Sequence, residues 1–206
     1  MIDELRLYAI SAGKLATYLQ HSHNIALPLR GNDFGKLLGF WYGEIGAVHT
    51  VWNLWEHDSL DSRQEKRAEL QRLAGWSNDY LAHSQPLMRD QYVRLLTRVM
   101  PIAMPAAPSI YEVRLIRATP GKSAAVAHAL CEDMPPSMRR ANVGVWTSTV
   151  GVANEVVQIL AHQDINERMA LSLEHPEMQE FMASWGPCME EVTSSLMLPT
   201  PASPLQ

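Results

Sequence analysis

The sequence predicts an α+β protein in which two tandem ferredoxin-like units close an α+β barrel within one chain. Three observations predict it: an internal repeat, a β-α-β-β-α-β order in each copy, and a sheet in each copy with one face left uncovered. The repeat is plainest where SIYEVRLIRATPGK (109–122) echoes MIDELRLYAISAGK (1–14). Ile2, Glu4, Arg6, Leu7, Gly13 and Lys14 recur at a constant offset as Ile110, Glu112, Arg114, Leu115, Gly121 and Lys122. The echo continues in order. Gly39, Trp41 and Gly46 return as Gly144, Trp146 and Gly151, and His57 and Arg63 as His162 and Arg168. YLAHSQPLM (80–88) is answered by FMASWGPCM (181–189). The offset falls only in small steps, as loop deletions produce, so one unit has been duplicated and has diverged.

In the first copy, IDELRLYAI alternates between Leu5, Leu7 and Ala9 on one face and Glu4, Arg6 and Tyr8 on the other, which is the period of a strand. AGKLATYLQHSHNIA follows with Leu15, Tyr18 and Leu19 at helical spacing, and ALPLRGND should end that helix. LLGFWYGEI and VHTVWNLWEH flank Ile45-Gly46-Ala47 as a hairpin. SLDSRQEKRAELQRL then offers Ser59 or Asp61 as the cap of a second helix, and DQYVRLLTRV closes the unit as a last strand. The second copy keeps this order through VANEVVQILAH, INERMALSLEHPEMQEFMASW and EEVTSSLML. The units are therefore expected at 1–100 and 109–198, with a Pro- and Ala-rich linker at 101–108 and a flexible tail at 199–206.

Composition narrows the function. A net charge of −5 lacks the basic excess of a nucleic-acid binder. No apolar run approaches the length of a membrane span, and DELRLY follows the first residues with neither a signal nor an Arg-rich presequence. Cys131 and Cys188 stand in no ligand-like spacing, which suits a reducing compartment. The expectation is a cytoplasmic protein without nucleic-acid or membrane partners, forming a homodimer or higher homo-oligomer. HSH (21–23) is an i, i+2 pair that does not share a helical face, so no metal site is expected, and no phosphate loop or nucleophile elbow is present.

If Leu5, Leu7, Trp41, Ile45, Trp52 and Leu54 face the helices, the polar members of each strand face the space between the two sheets. That face would carry Glu4, Arg6, Tyr8, Tyr42, Glu44, His49 and Asn53 from one copy, and Glu112, Arg114, Asn154 and Gln158 from the other. Glu4–Arg6 and Glu112–Arg114 would then pair across the sheets and fix how the copies dock, since buried ions need partners. The positions that break the symmetry suggest a ligand cavity instead. His49 answers to Asn154, Tyr42 to Thr147, Glu44 to Thr149 and Tyr8 to Ile116. His49 would be the proton-transfer group, Glu44 or Glu4 its orienting carboxylate, and Arg6 or Arg114 the clamp on an anionic oxygen.

ELRLY…GK, the stretch LGFWYGEIGAVHTVWNLWEHDSLDSRQEKRAEL (38–70) and HPEMQEF (175–181) resemble the NIPSNAP family, within the dimeric α+β barrel superfamily. The resemblance covers most of both copies and is weaker in the second. It implies a ferredoxin-like unit whose open sheet face packs on a second unit. In the family pattern Asn sits near position 49 and His near position 53; here His49 and Asn53 are interchanged. The superfamily includes cofactor-free oxygenases, cyclases, isomerases and haem-degrading enzymes, which implies a small-molecule site in the barrel. The expectation is a small metabolite bound, and transformed by proton transfer, without a metal or nucleotide cofactor. The alternative is a non-enzymatic interaction or sensor module with a filled barrel, and haem ligation by His49 or His57 is a third.

Overall fold

The computed structural model describes residues 1–105 and 110–205. The first unit runs β1 (Ile2–Ile10), α1 (Leu15–His21), a π-helical turn (Ser22–Ala26) and α2 (Leu27–Arg30), then β2 (Lys36–Ile45) and β3 (Thr50–His57). It closes with α3 (Leu60–Arg72), a π-helical segment (Gly75–Leu81), α4 (Ala82–Ser84) and β4 (Met88–Arg98). The second runs β5 (Ile110–Ala118), α5 (Ser123–Glu132), α6 (Pro136–Ala141), β6 (Asn142–Val150), β7 (Glu155–His162), α7 (Ile165–Ala170), α8 (Gln179–Trp185) and β8 (Met189–Pro199). Local chemistry sets the helix starts. Ser59 accepts from the Ser62 amide at 3.0 Å, and the Asp164 carboxylate caps α7 by accepting from the Asn166 and Glu167 amides. ALPLRGND does not break the first helix as expected: Pro28 lies in the opening turn of α2, where a missing N–H costs nothing, so the helix reaches Arg30.

Each unit makes one antiparallel sheet, β4-β1-β3-β2 in the first and β8-β5-β7-β6 in the second. The sheets also join edge to edge, β2 to β8 and β4 to β6, so eight strands close into a barrel with no free edge. Its interior is filled by both units: Leu5, Trp41, Trp52 and Leu54 meet Tyr111, Val113, Trp146 and Ile159, all buried. Gly39 and Gly144 make this possible. A Cβ on Gly39 would stand 1.8 Å from the Trp41 indole, and one on Gly144 would stand 2.3 Å from Trp146. At one end of the interior Asp3 accepts from Arg98 at 2.7 and 2.8 Å and from the Trp146 indole at 2.6 Å.

This arrangement reverses the expected faces. Leu5, Leu7, Trp41, Trp52 and Leu54 fill the barrel, while Glu4, Arg6, Tyr8, Tyr42 and Asn53 turn towards the helices. Glu112, Arg114 and Gln158 do the same in the second unit. The closed barrel excludes water on every side, so it takes the largest apolar side chains; polar groups survive on the other face, where helices and clefts supply partners. Glu44 and His49 face neither space. Glu44 is exposed near the end of β2, and His49 is exposed in the β2–β3 turn, where it has φ 55° and accepts the Ile10 amide on its carbonyl at 2.7 Å. Asn154 is its counterpart, with φ 58° and the Ala118 amide at 2.9 Å.

Residues 101–105 carry no regular structure, although Ile102 packs on the barrel core; the rest of the expected linker lies outside the described residues. The tail is docked rather than flexible. Thr200 donates its amide to the Phe40 carbonyl at 2.9 Å, Ser203 Oγ accepts the Phe40 amide at 3.0 Å, and Leu205 is buried in the barrel core. Among the described residues no helix is long and apolar enough to cross a membrane.

Candidate functional site

The duplicated carboxylates pair within their own units, not across the sheets as expected. Residues i and i+2 share a strand face, so Glu4 lies beside Arg6 and Glu112 beside Arg114. Glu4 accepts from Arg6 and Arg63, with His57 Nε2 at 3.5 Å. Glu112 accepts from Arg114 Nε at 2.8 Å, Arg168 at 3.1 Å and Ser194 Oγ at 2.6 Å, with His162 Nε2 at 3.3 Å. Burial alone would push both carboxyls up, but the neighbouring imidazole and arginines outweigh it and hold both well below the usual carboxylate range. Both remain ionised, and their lone pairs are committed.

Beyond Arg6 the two units part company. In the first, the helix-facing side of the sheet stands off from its helical cover and leaves a cavity of about 170 Å3. β1 and β3 contribute Arg6, Tyr8 and Asn53; α1 and the turn after it contribute Tyr18 and Ser22; α2 contributes Arg30. The second π-helical segment adds Trp76 and Tyr80. Arg6 donates to the Tyr8 hydroxyl at 2.7 Å, the Tyr18 and Tyr80 hydroxyls meet at 3.1 Å, and Ser22 Oγ lies 3.5 Å from Tyr80. Asn53 accepts the Trp55 indole N–H at 2.6 Å.

Arg30 is the unusual member. It is 5% exposed, its guanidinium lies 3.5 Å from the centroid of the Trp55 ring, and it donates to the Phe34 carbonyl at 2.9 Å. Among the described residues no carboxylate pairs with it. Burial first, then the like charge of Arg6, pushes its pKa down to about 10, so it is still a cation at neutral pH. Among the described residues, Arg30 Nε and one terminal nitrogen of Arg6 have no hydrogen-bond partner. Tyr18 and Tyr80 are pushed above the usual phenol range by burial, so they stay protonated donors.

In the second unit the same positions close the space. Tyr8 becomes Ile116, Tyr18 becomes Val126, Ser22 becomes Leu130, Trp55 becomes Leu160 and Tyr80 becomes Phe181, all buried in one apolar cluster. The helix before the second strand brings Met138 where α2 brings Arg30. Gln158, the counterpart of Asn53, donates to Asn142 Oδ1 at 2.6 Å and to the Met134 sulfur at 3.4 Å.

Of the residues singled out in the sequence, the structure brings Arg6, Tyr8 and Asn53 together in the cavity, with Glu4 behind them. Tyr42 is half-buried on the same sheet face and does not line it. Glu112, Arg114 and Gln158 belong to the closed second unit, Glu44 to the exposed end of β2, and His49 and Asn154 to the hairpin turns. Sequence reasoning missed Arg30, Tyr18, Ser22, Trp55 and Tyr80. The signal was present in the repeat, where each tyrosine faces an apolar counterpart. Arg30 was hidden in a stretch that reads as a loop.

Two ferredoxin-like sheets closed edge to edge, each backed by its own helices, define an α+β barrel of the dimeric type with both halves in one chain. A solved anthrone oxidase-like protein has this fold, matching at a TM-score of 0.69 and 10% identity over 97% of this chain and 91% of that one. The NIPSNAP family model matches residues 3–101 and 111–204, once per unit, and the chain belongs to the NIPSNAP family. Human Protein NipSnap homolog 3A is 24% identical over 213 residues, covering 98% of this chain and 85% of its own. Protein NipSnap homolog of Dictyostelium discoideum is 24% identical over 214 residues, covering 96% and 87%.

Proposed function

We propose that this protein binds a small organic anion, about one ring in size, in the cleft between the sheet and helices of its first unit. One observation carries the reading: among the described residues Arg30 is a buried cation that no carboxylate pairs with, beside a second buried arginine, and both line the cavity with a nitrogen that has no partner there. Leaving such a charge unpaired costs several kcal/mol by order of magnitude, and an anionic ligand removes that cost. The volume supports a small ligand. About 170 Å3 is close to the ~150 Å3 of an engineered cavity that holds benzene, and below the usual ~300 Å3 floor of ligand pockets.

The wall also limits the chemistry. It offers arginine, tyrosine, serine and amide groups, while Glu4 behind it is committed to its arginines. The cleft therefore suits an ion formed before it enters, or one whose negative charge grows during a reaction. The name of the structural neighbour, anthrone oxidase-like, fits the second case, because anthrones react through their enolates. Three fused rings exceed this cavity, so a monocyclic carboxylate, phenolate or enolate fits better.

The test is thermal denaturation with benzoate and, as neutral control, benzamide. Benzoate should raise the melting temperature and benzamide should not, and Arg30→Met should abolish the difference while keeping the fold. Equal response to the two, or to neither, would overturn the proposal. Mass spectrometry of protein freshly purified under native conditions would identify the natural acid.

A further inference from the structure

Resting on that anion site, we infer that the ligand carries a second oxygen, a hydroxyl or carbonyl, read by the Tyr18–Ser22–Tyr80 hydroxyl cluster. The cleft's ligand class is therefore one-ring hydroxy- or oxo-acids rather than simple carboxylates.

The first argument is the geometry of the hydroxyls. Tyr18, Ser22 and Tyr80 interact in every pairing, Tyr18 with Tyr80 at 3.1 Å, Ser22 with Tyr80 at 3.5 Å, and Ser22 with Tyr18. The 3.5 Å contact is longer than a good O–H···O bond, so an acceptor in the cavity can draw one O–H away from it. Tyr8 adds another, because its oxygen accepts from Arg6 and its own proton must go elsewhere. Tyr18, Ser22 and Tyr80 are only 1%, 4% and 6% exposed, so bulk water is a poor substitute.

The second argument is that the fold does not need these hydroxyls. Their counterparts Val126, Leu130 and Phe181 build the same corner of the second unit from hydrocarbon alone. Satisfying a helical scaffold is thus no reason to keep three hydroxyls together in the first.

The third is backbone geometry. Ser22 opens one π-helical stretch and Tyr80 lies in another, and the second unit has α- and 3-10-helices at the matching places. A π turn adds a residue to the helical ladder and re-aims the side chains it carries, and it recurs at functional sites. Here two of them point hydroxyls at one cavity that also holds both guanidinium groups.

The experiment compares benzoate with ortho-, meta- and para-hydroxybenzoate by titration calorimetry, on wild type and on Tyr80→Phe. Phe181 shows that phenylalanine fits this corner of the fold. At least one hydroxybenzoate should bind roughly three- to tenfold tighter than benzoate, the worth of one hydrogen bond. Tyr80→Phe should erase that gain, so that the best hydroxybenzoate binds no tighter than benzoate does to the same variant. If benzoate binds and no isomer exceeds it, or if the gain survives in Tyr80→Phe and Tyr18→Phe, the inference is wrong and the anion site stands. If none of the four acids binds wild type, the anion site falls and this inference with it.

Discussion

The two helix–sheet clefts of this chain descend from one ancestor and now do opposite things with the same scaffold. Both keep a carboxylate clamped by arginines and a histidine at the same strand position: Glu4 with Arg6, Arg63 and His57, and Glu112 with Arg114, Arg168 and His162. Past that shared anchor, one cleft is walled by tyrosine, serine and an arginine that no carboxylate pairs with among the described residues, and the other is filled by an apolar cluster beside the Gln158–Asn142 hydrogen bond. What both kept is structural, and what only one kept is the better guide to function. Duplication within one chain supplies its own control.

The largest expected effect tests the shared anchor. Glu112→Ala leaves buried Arg114 without its partner and should cost about 3–5 kcal/mol in urea unfolding, and Glu4→Ala a similar amount. A cost below about 1 kcal/mol in either would mean that the two networks are not equivalent supports. The same carboxylates set an acid limit. Both have pKa values held below the ordinary 4.5 in the folded state, so their stabilisation is complete above that pH and is lost as pH falls further below it. Glu112→Gln should therefore show a shallower loss of stability below pH 4.5 than wild type.

Next come reciprocal swaps between the clefts. Phe181→Tyr puts a hydroxyl into an apolar cluster and should cost about 1–3 kcal/mol, whereas Tyr80→Phe in the polar cleft should cost about 1 kcal/mol or less. Equal costs on thermal unfolding would erase the distinction between a closed and an open cleft.

The smallest effect falls outside both. His49 and Asn154 are turn residues with positive φ, a conformation that asparagine adopts more readily than most residues. His49→Asn should gain a few tenths of a kcal/mol at most and leave benzoate affinity unchanged. A marked loss of affinity would return the histidine of the β2–β3 turn to the site.

Much of the fold was legible in residue order alone. Glu4 and Arg6 recurring as Glu112 and Arg114, with Gly39 and Trp41 recurring as Gly144 and Trp146, gave the duplication. The alternation of Leu5 and Leu7 with Glu4, Arg6 and Tyr8 gave the strand and sorted its residues into two correct sets. Three of the cavity residues, Arg6, Tyr8 and Asn53, came out of that sorting. His49 was misplaced because the strand starts one residue later, at Thr50, and a turn residue has no sheet face. Arg30 was out of reach because Pro28 disguised the last turn of a helix. The tail was misjudged because a short polar, Pro-rich segment says nothing of the groove that receives it: Thr200 and Ser203 bond the Phe40 backbone, and Leu205 enters the barrel core.

By itself, then, the sequence determined the units, their element order and the division of each strand into two faces, because period and repeat are properties of the chain. Only the tertiary structure decided which face met which neighbour. A period of two is unchanged when a sheet is turned over, so Glu4 and Arg6 fit either side equally well until the barrel closes. Closure settles the matter through water: the space between the sheets is sealed on all sides and takes Trp41, Trp52 and Trp146, which leaves the arginines and tyrosines to the helix side, where one cleft stayed open.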